Sequence, residues 1–466
     1  MLATSVTVLG GAGVALSARA GVAMRLLRPV LLAALQLAQL AQAPQLGSSS
    51  SQVLSQLGTD AELKALCRSI VPGWGLAEPS KLRVINVVQQ SAGAAAGLGD
   101  RLWRVNADAR WCGVARDSEV CSVLVRRFAA GSELLIDRAV EAAVVSALAR
   151  QGWDEAVRVG SFSNGRIDTW PEGWAAVPDE QARDPLVLNA VAVQLALLHR
   201  QTPRVPGLSF QTGLASDSVQ PVLWGNLRRL LELAESVTFP EGADGRAHLL
   251  RSIGLSGISA AIDRLEQRWK KLRGSGNSAQ AVRFSHNNLG ARGRSIMIRA
   301  DMIQTDADWP RIVISEFAHA DYNFCAFDIA EYFKSLAGPG CDWKNLPTPA
   351  VQKAWIARYL ASSAERNAAY TMAAAESLYK EVQLLGLASH LSRCLLSVLN
   401  AAATEQRQSE AEQEAGATES STSGSSGDDE GYDWLGYASQ RMERFRVERP
   451  RVLAELAGKK KKHKDL

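Results

Sequence analysis

The sequence predicts an α/β chain of two lobes, a small lobe built on a mixed sheet at about 60–172 and a larger, mostly helical lobe at about 173–448. Two observations carry this. Up to Trp170 the apolar residues alternate or run in short β-branched blocks, as in KLRVINVV and SVLVRRF, which is the period of half-buried or buried strands. Beyond residue 185 the period becomes helical, through VLNAVAVQLALLH, LWGNLRRLLELAE, AAIDRLEQRWKKL and the long stretch from TPAVQKAWIARYL to EVQLLGL. With 466 residues, 47% hydrophobic content and 21% charge, the chain can bury a core of this size.

The elements follow in order. Residues 1–55 form an N-terminal segment in which MRLLRPVLLAALQLAQLAQA, at 24–43, has a basic start, an apolar run and an A-x-A-like end. Two readings stand for it: a targeting segment, or an Ala/Leu-rich helix that belongs to a disordered lead-in. After the Ser-rich linker, AELKALCRSIVPGW reads as an amphipathic helix stopped by Pro72 and Gly73. KLRVINVV is a strand, SAGAAAGLGD a small-residue loop, and LWRV a second strand. SVLVRRF is a further strand, DRAVEAAVVSALARQGW a helix, and SFSNGRIDTW a hairpin around an N-G turn. Residues 403–430, TEQRQSEAEQEAGATESSTSGSSGDDEG with its flanks, are Ser/Glu-rich and almost free of apolar side chains, so a disordered excursion is expected there. Helix-like DWLGYASQRMERF resumes after it, and a basic tail is expected over 449–466.

Charge and cysteines narrow the function classes. The formal net charge is only +4 and the densest basic run is the terminal GKKKKHKDL, which argues against a nucleic-acid groove and leaves membrane contact only through that tail. The six cysteines have neither a C-x-x-C pair nor zinc spacing, so they read as buried thiols and favour a cytoplasmic location. Targeting to an organelle or the ER through 24–43 is the alternative. The final HKDL differs from K-D-E-L at its acidic penultimate residue and is not used as an address.

One short motif has its own reading. GWGL at 73–76, followed by SAGAAAGLGDRLWRVNA, is similar to a PDZ domain, in which the loop's N–H groups would hold a partner's C-terminal carboxylate; this gives a peptide-binding module at 65–148. A longer match uses the same residues. CRSIVPGW, SVLVRRFAAGSELLIDRAVE, FSNGRIDTWPEG, LALLH, SHNNL, EFAHADYNFCAFDIAEYFKSLAG, EVQLLGLASH and DWLGYASQRMERF occur in one collinear order over about 60–446. In this order they resemble the choline/ethanolamine kinase family, and FDIAEYFKSLAG with WKNLPTPAVQKAWIARYL looks more like its ethanolamine branch.

The resemblance implies a two-lobed protein-kinase-like fold, ATP and Mg²⁺ as cofactors, and ethanolamine or choline as the phosphate acceptor in phosphatidylethanolamine or phosphatidylcholine synthesis. Such a reaction needs a cation on the phosphates, a carboxylate that takes the hydroxyl's proton, and oxygens for Mg²⁺. By the resemblance Arg126 is the phosphate cation and Glu141 its ion-pair partner, while Gly93 and Gly99 stand in a phosphate loop that lacks the family's Gly-Gly and Thr-Asn. His286 keeps the frame of the catalytic loop, but Asn288 occupies the base's position and cannot accept a proton at neutral pH. Gly293, or Arg294 if the loop carries an insertion, occupies a metal position. Glu316 replaces the family's metal-binding Asp, and Asp328 matches a residue that buttresses the loop. In the acceptor pocket Arg393 takes the place of a Trp, either facing inward or reaching solvent, and Tyr322 and Trp434 are the aromatic candidates. Two function classes follow: an ethanolamine or choline kinase with impaired turnover, and a catalytically inactive pseudokinase that acts as a binding module.

Overall fold

Thr59 caps the first helix, accepting from Glu62 N–H (3.3 Å) while its own N–H donates to the Glu62 carboxylate (3.0 Å), so the sequence T-x-x-E closes a capping box at α1 (Asp60–Ile70). The structure is a computed structural model. It describes residues 59–457 apart from 88–99, 109–112, 116–117, 130, 154–157, 171–172, parts of 202–220, 240–243, 274–281, 291–292, 300–310, 364–371 and 418–431. Residues 1–55 with the segment 24–43, the loop carrying Gly93 and Gly99, and the terminal lysines lie outside the described residues.

In the first lobe β1 (Leu82–Asn86) and β2 (Arg101–Ala107) precede a separate hairpin, β3 (Gly113–Ala115) with β4 (Ser118–Val120). Then come β5 (Ser122–Arg127), helix α2 (Arg138–Arg150, capped by Asp137), and the β6 (Arg158–Phe162) and β7 (Gly165–Thr169) hairpin. The five-stranded sheet has the order β1-β2-β5-β7-β6 and every pairing is antiparallel. The expected mixed sheet is corrected on this point: the crossover through α2 delivers β6 to the edge, and β7 folds back beside β5, so no parallel neighbours arise.

The PDZ reading fails at the same place. Its sheet would have closed near residue 148, yet β5 is paired along its length with β7 at 165–169. GWGL is also unsuited to hold a carboxylate, because Trp74 N–H donates to Val71 O (3.1 Å), Ala77 N–H donates to Trp74 O (3.0 Å), and Trp74 is buried beneath α1.

The N-G pair forms the predicted hairpin, but Gly165 is needed for closeness rather than for a special φ. A Cβ there would meet the Arg126 carbonyl at 2.2 Å and the Phe162 ring at 2.2 Å. Gly165→Ala should therefore force β5 from β7 and cost about 2–3 kcal/mol by overpacking. Urea unfolding checks this, and a cost within about 0.5 kcal/mol would contradict it.

The second lobe opens with β8 (Trp174–Ala176) and α3 (Pro185–Leu198), then α4 (Leu223–Glu235), α5 (Asp244–Ile253) and α6 (Ile258–Arg273). Four short strands follow: β9 (Val282–Ser285), β10 (Ile296–Arg299), β11 (Ile312–Ile314) and β12 (Asp321–Phe324). The last runs directly into α7 (Cys325–Ser335). β10 is flanked by β8 and β11, and β9 pairs with β12. These small sheets matter for function because the segments just after β9 and β11 carry His286–Asn288 and Glu316. Helices α8 (Pro349–Ser363), α9 (Met372–Ala417) and α10 (Trp434–Leu456) complete the lobe. Part of α9 is apolar and long enough to cross a membrane, but 78% of that window is buried inside the protein, where it forms the central core helix.

Three expectations are corrected. The disordered excursion expected at 403–430 is overturned up to Ala417, where α9 continues, and the remainder lies outside the described residues: EQRQSEAEQE is polar but rich in strong helix formers that extend a helix already nucleated by the core. The basic tail does not begin at 449, since α10 passes through Pro450 to Leu456, anchored by Val452, which is 1% exposed. Cys67, Cys325, Cys341 and Cys394 are buried free thiols, with burial pushing Cys67, Cys325 and Cys394 up to about 12, whereas Cys121 is disulfide-bonded.

Candidate active site

The catalytic-loop segment is held by one carboxylate. Asp328, fully buried in the first turn of α7, accepts from His286 N–H (2.6 Å) and Asn287 N–H (2.7 Å), and its Oδ2 also meets His199 Nε2 (3.1 Å). Asn287 takes a left-handed φ of 63°, which Asn tolerates better than most residues. Its side-chain amide donates to the carbonyls of His319 (3.1 Å) and Asp321 (3.2 Å), and its Oδ1 accepts from Asn323 (2.7 Å). His286 is likewise fixed. Its Nε2 faces the Ser315 carbonyl (2.8 Å) and its Nδ1 accepts from Asn288 N–H (3.2 Å), so the partners select the neutral Nε2–H tautomer. His286 therefore ties the loop to the 315–319 segment, and Asn288, 4% exposed, is presented at a cleft.

Arg126 and Glu141 belong to one buried ion cluster, but not as the direct pair that the resemblance implies. Arg126 and Arg166 are register partners on β5 and β7, so two guanidiniums stand side by side, an arrangement that needs interleaved carboxylates. Arg126 pairs with Glu316 and, at 3.5 Å, with Asp100. Glu141 pairs instead with Arg166 (2.7 Å) and Arg138 (3.0 Å), and Arg138 reaches both Asp100 oxygens (3.0 and 2.9 Å). Asp100 is thus a counter-ion inside the cluster.

Glu316 takes a left-handed φ of 68°, a strained conformation for this residue that costs about 1–3 kcal/mol. Its carboxylate lies between Arg126 and Arg294, the latter at 3.3 Å. Burial alone would raise its pKa; Arg126, Arg294 and Arg166 overcome burial and hold it at about 2. Burial equally opposes the charge of Arg126, yet Glu316 and the other acids keep its pKa above the ordinary value. Arg126, Arg166 and Glu316 line one small cleft with Arg158, Asp168 and Arg294.

The acceptor-side residues are placed differently from expectation. Arg393 neither reaches solvent nor enters a cleft; it is buried in an ion pair with Glu331 of α7 (2.5–2.6 Å). Tyr322 is core: its hydroxyl donates to the Pro203 carbonyl (3.1 Å) and its ring packs edge-on against Phe284. Trp434 is buried at the start of α10 against Tyr432. Beside Asn288 lies an open cleft lined by Leu135, Leu223, Leu227, Leu230, Leu396, Phe327, His319 and Arg229 among others. Neither Tyr322, Arg393 nor Trp434 is among its described lining residues.

Sequence reasoning missed Arg166, Arg138, His319 and this Leu-rich wall. Only Arg166 left a trace, since R-x-D in a strand puts Arg166 and Asp168 on one face. The acid-sensitive groups were also hidden. Burial holds His286 and His390 below the ordinary imidazole value, and burial with the Arg393 charge holds His319 at about 4. Unfolded, each histidine takes a proton near pH 6.5, so the unfolded state gains protons first as pH falls. Stability should be complete above about pH 6.5 and decline below it by up to ~1.4 kcal/mol per pH unit for each histidine. Glu316 adds a later loss. Its contribution is present above about 4.5 and disappears as pH falls through its folded value of about 2. Urea midpoints measured between about pH 5 and 8 check the first part, and a midpoint unchanged below about pH 6.5 would contradict it.

The donor set does not suit Mg²⁺. Glu316 is already neutralised by two guanidiniums, and among the described residues no group of three or more His, Cys, Asp and Glu side chains converges to hold a metal.

Comparisons with known proteins bear on the fold and the family. The family model described as choline/ethanolamine kinase matches residues 94–446. Ethanolamine kinase 2 of Mus musculus is 28% identical over 292 residues, covering 62% of this chain and 66% of that protein, so the match spans just under two thirds of the relative's length. Among solved structures, an ethanolamine kinase of Plasmodium vivax aligns with a TM-score of 0.61 at 18% identity, covering 87% of this chain and 98% of that one. A choline kinase of Cryptosporidium parvum aligns at 0.57 and 17%, covering 85% and 97%. At these identities the solved structures speak for the fold alone, which is the two-lobed protein-kinase-like one. Because the match runs from the first lobe's small-residue loop to α10, and so takes in the segments that carry Arg126, Asn288 and Glu316, the chain belongs to the choline/ethanolamine kinase family.

Proposed function

We propose that this chain is an ethanolamine kinase-like protein that retains a nucleotide site but is impaired in phosphotransfer to ethanolamine or choline, so that it works chiefly as a binding module. The observation that carries this is the state of Glu316: the carboxylate that would face the metal is bound by Arg126 and Arg294. Asn288, at the base's position, cannot take the acceptor hydroxyl's proton at neutral pH. What the loop does retain is order. Asp328 and His286 fix its backbone, so a hydroxyl in the adjoining cleft can be positioned without being activated.

The acceptor cleft supports the same reading. An ammonium group is held by aromatic faces or carboxylates. Among the described lining residues there is no carboxylate, the rings are Phe327 and His319, and the charged group is Arg229. The names of the relatives favour ethanolamine as the acceptor.

The test is ADP release by the full chain with ethanolamine and with choline under saturating ATP and Mg²⁺, alongside nucleotide binding by calorimetry. Binding with turnover far below the roughly 1–100 s⁻¹ of ordinary kinases is expected. Turnover within that range would overturn the impairment and require another base, for which His319 in the lining of the cleft is a candidate. We also propose a cytoplasmic location, supported by the buried free thiols; the disulfide at Cys121 favours the alternative, targeting through 24–43. Fractionation of cells expressing the full chain decides between them.

A further inference from the structure

We infer that Arg294 stands in for the divalent cation, so that this cleft takes the phosphate groups of a nucleotide without a metal. The inference rests on the nucleotide-binding reading above and goes beyond it. Its first support is charge. The described lining of the cleft has four guanidinium groups, Arg126, Arg158, Arg166 and Arg294, against two carboxylates, Asp168 and Glu316. A divalent cation beside Glu316 would enter an environment that is already positive, and would have to displace two guanidiniums to reach its ligand.

The second support is a pair of buried donors. Arg126 is 1% exposed, and its Nε and Nη1 have no hydrogen-bond partner; Nη1 lies 3.5 Å from Asp100, too far for a hydrogen bond of good geometry. Buried guanidinium donors are costly to leave unmade, and Arg126 is among the residues that line the cleft. Its Nη2 is spent on Glu316. Phosphate oxygens are the acceptors that match such a fork in charge and geometry.

The third support is how Arg294 is held. Its guanidinium contacts Glu316 on one side and lies 5.1 Å from the centre of the Trp170 ring on the other, and the side chain is still 16% exposed. Glu316 in turn is aimed by its left-handed backbone. A metal-dependent kinase places a cation between carboxylate and phosphate. Here the order carboxylate, guanidinium, phosphate gives the same alternation of charge with a side chain of the protein. A guanidinium neutralises phosphate without polarising it as Mg²⁺ does, which accords with binding uncoupled from turnover.

The experiment titrates the full-length chain with a fluorescent ATP analogue in EDTA and again in excess Mg²⁺. Equal or tighter binding in EDTA is expected. Arg294→Gln should weaken the EDTA affinity by about tenfold, corresponding to ~1.4 kcal/mol, and make binding improve on addition of Mg²⁺, because Glu316 then keeps one guanidinium partner, Arg126, instead of two. Arg294→Lys keeps the charge and should keep most of the EDTA affinity, which separates the counter-ion role from loss of folding. Binding that appears only with Mg²⁺, or an EDTA affinity unchanged by Arg294→Gln, overturns the inference while leaving nucleotide binding intact. An absence of binding in both buffers overturns the nucleotide reading, and this inference with it.

Discussion

Restoring the carboxylate at 288 alone, Asn288→Asp, is expected to leave ethanolamine-dependent ADP release within about threefold of the unmodified chain, because base and metal act as one unit and removing either removes most of the effect. The combination of Asn288→Asp with Arg294→Asn should then raise release by about 10²-fold or more, the size of contribution a positioned general base makes once its partner is present. The choice of 294 comes from the structure. Two alignments of the loop place either Gly293 or Arg294 at the metal position, and it is the Arg294 side chain that reaches Glu316. Asn288→Asp with Gly293→Asn leaves that guanidinium in place and should therefore recover less. If the 293 combination proves the more active, the assignment of 294 is wrong. If both combinations stay at the level of the unmodified chain, the block lies in the acceptor cleft, and the Leu-rich wall with Arg229 becomes the group to change.

Asp328→Ala should be the most destabilising single change in the loop, at about 3 kcal/mol or more. It removes the shared acceptor of two buried backbone N–H groups and a partner of His199, and each donor left unmade inside the protein costs about 1–3 kcal/mol. Asp328→Asn should cost less, since one oxygen can still accept, although its NH₂ then faces donors. Urea unfolding at neutral pH reads both. A loss below about 1 kcal/mol for the alanine variant would mean that the loop is held mainly by Asn287 and His286.

The fold was largely legible in the sequence, and the reasons are local. Period-2 and period-3.6 patterns come from neighbouring residues, so β2, β5, the β6–β7 hairpin and helices α3, α4, α6, α8, α9 and α10 appear where LWRV, SVLVRRF, SFSNGRIDTW and the amphipathic stretches put them. The short strands β8 to β12 were not legible, because runs such as Ile312–Ile314 are too brief to show a period and are defined by their partners. The error at 403–417 has a local cause too: polarity was weighed above helix propensity, and the long core helix before it supplied the nucleus.

What the sequence by itself determined about this protein is its family and which residues stand at 288 and 316, because a collinear order of motifs and the identities of Asn288 and Glu316 need no coordinates. The partners of its charges were decided only by tertiary structure. Arg126 turns to Glu316, 190 positions away, rather than to Glu141; Arg393 turns inward to Glu331; and Arg294 closes on the Glu316 carboxylate. An ion pair is fixed by sheet register, by the direction of a side chain and by competition among several nearby charges in a buried space, and none of these is a property of residues that are close along the chain.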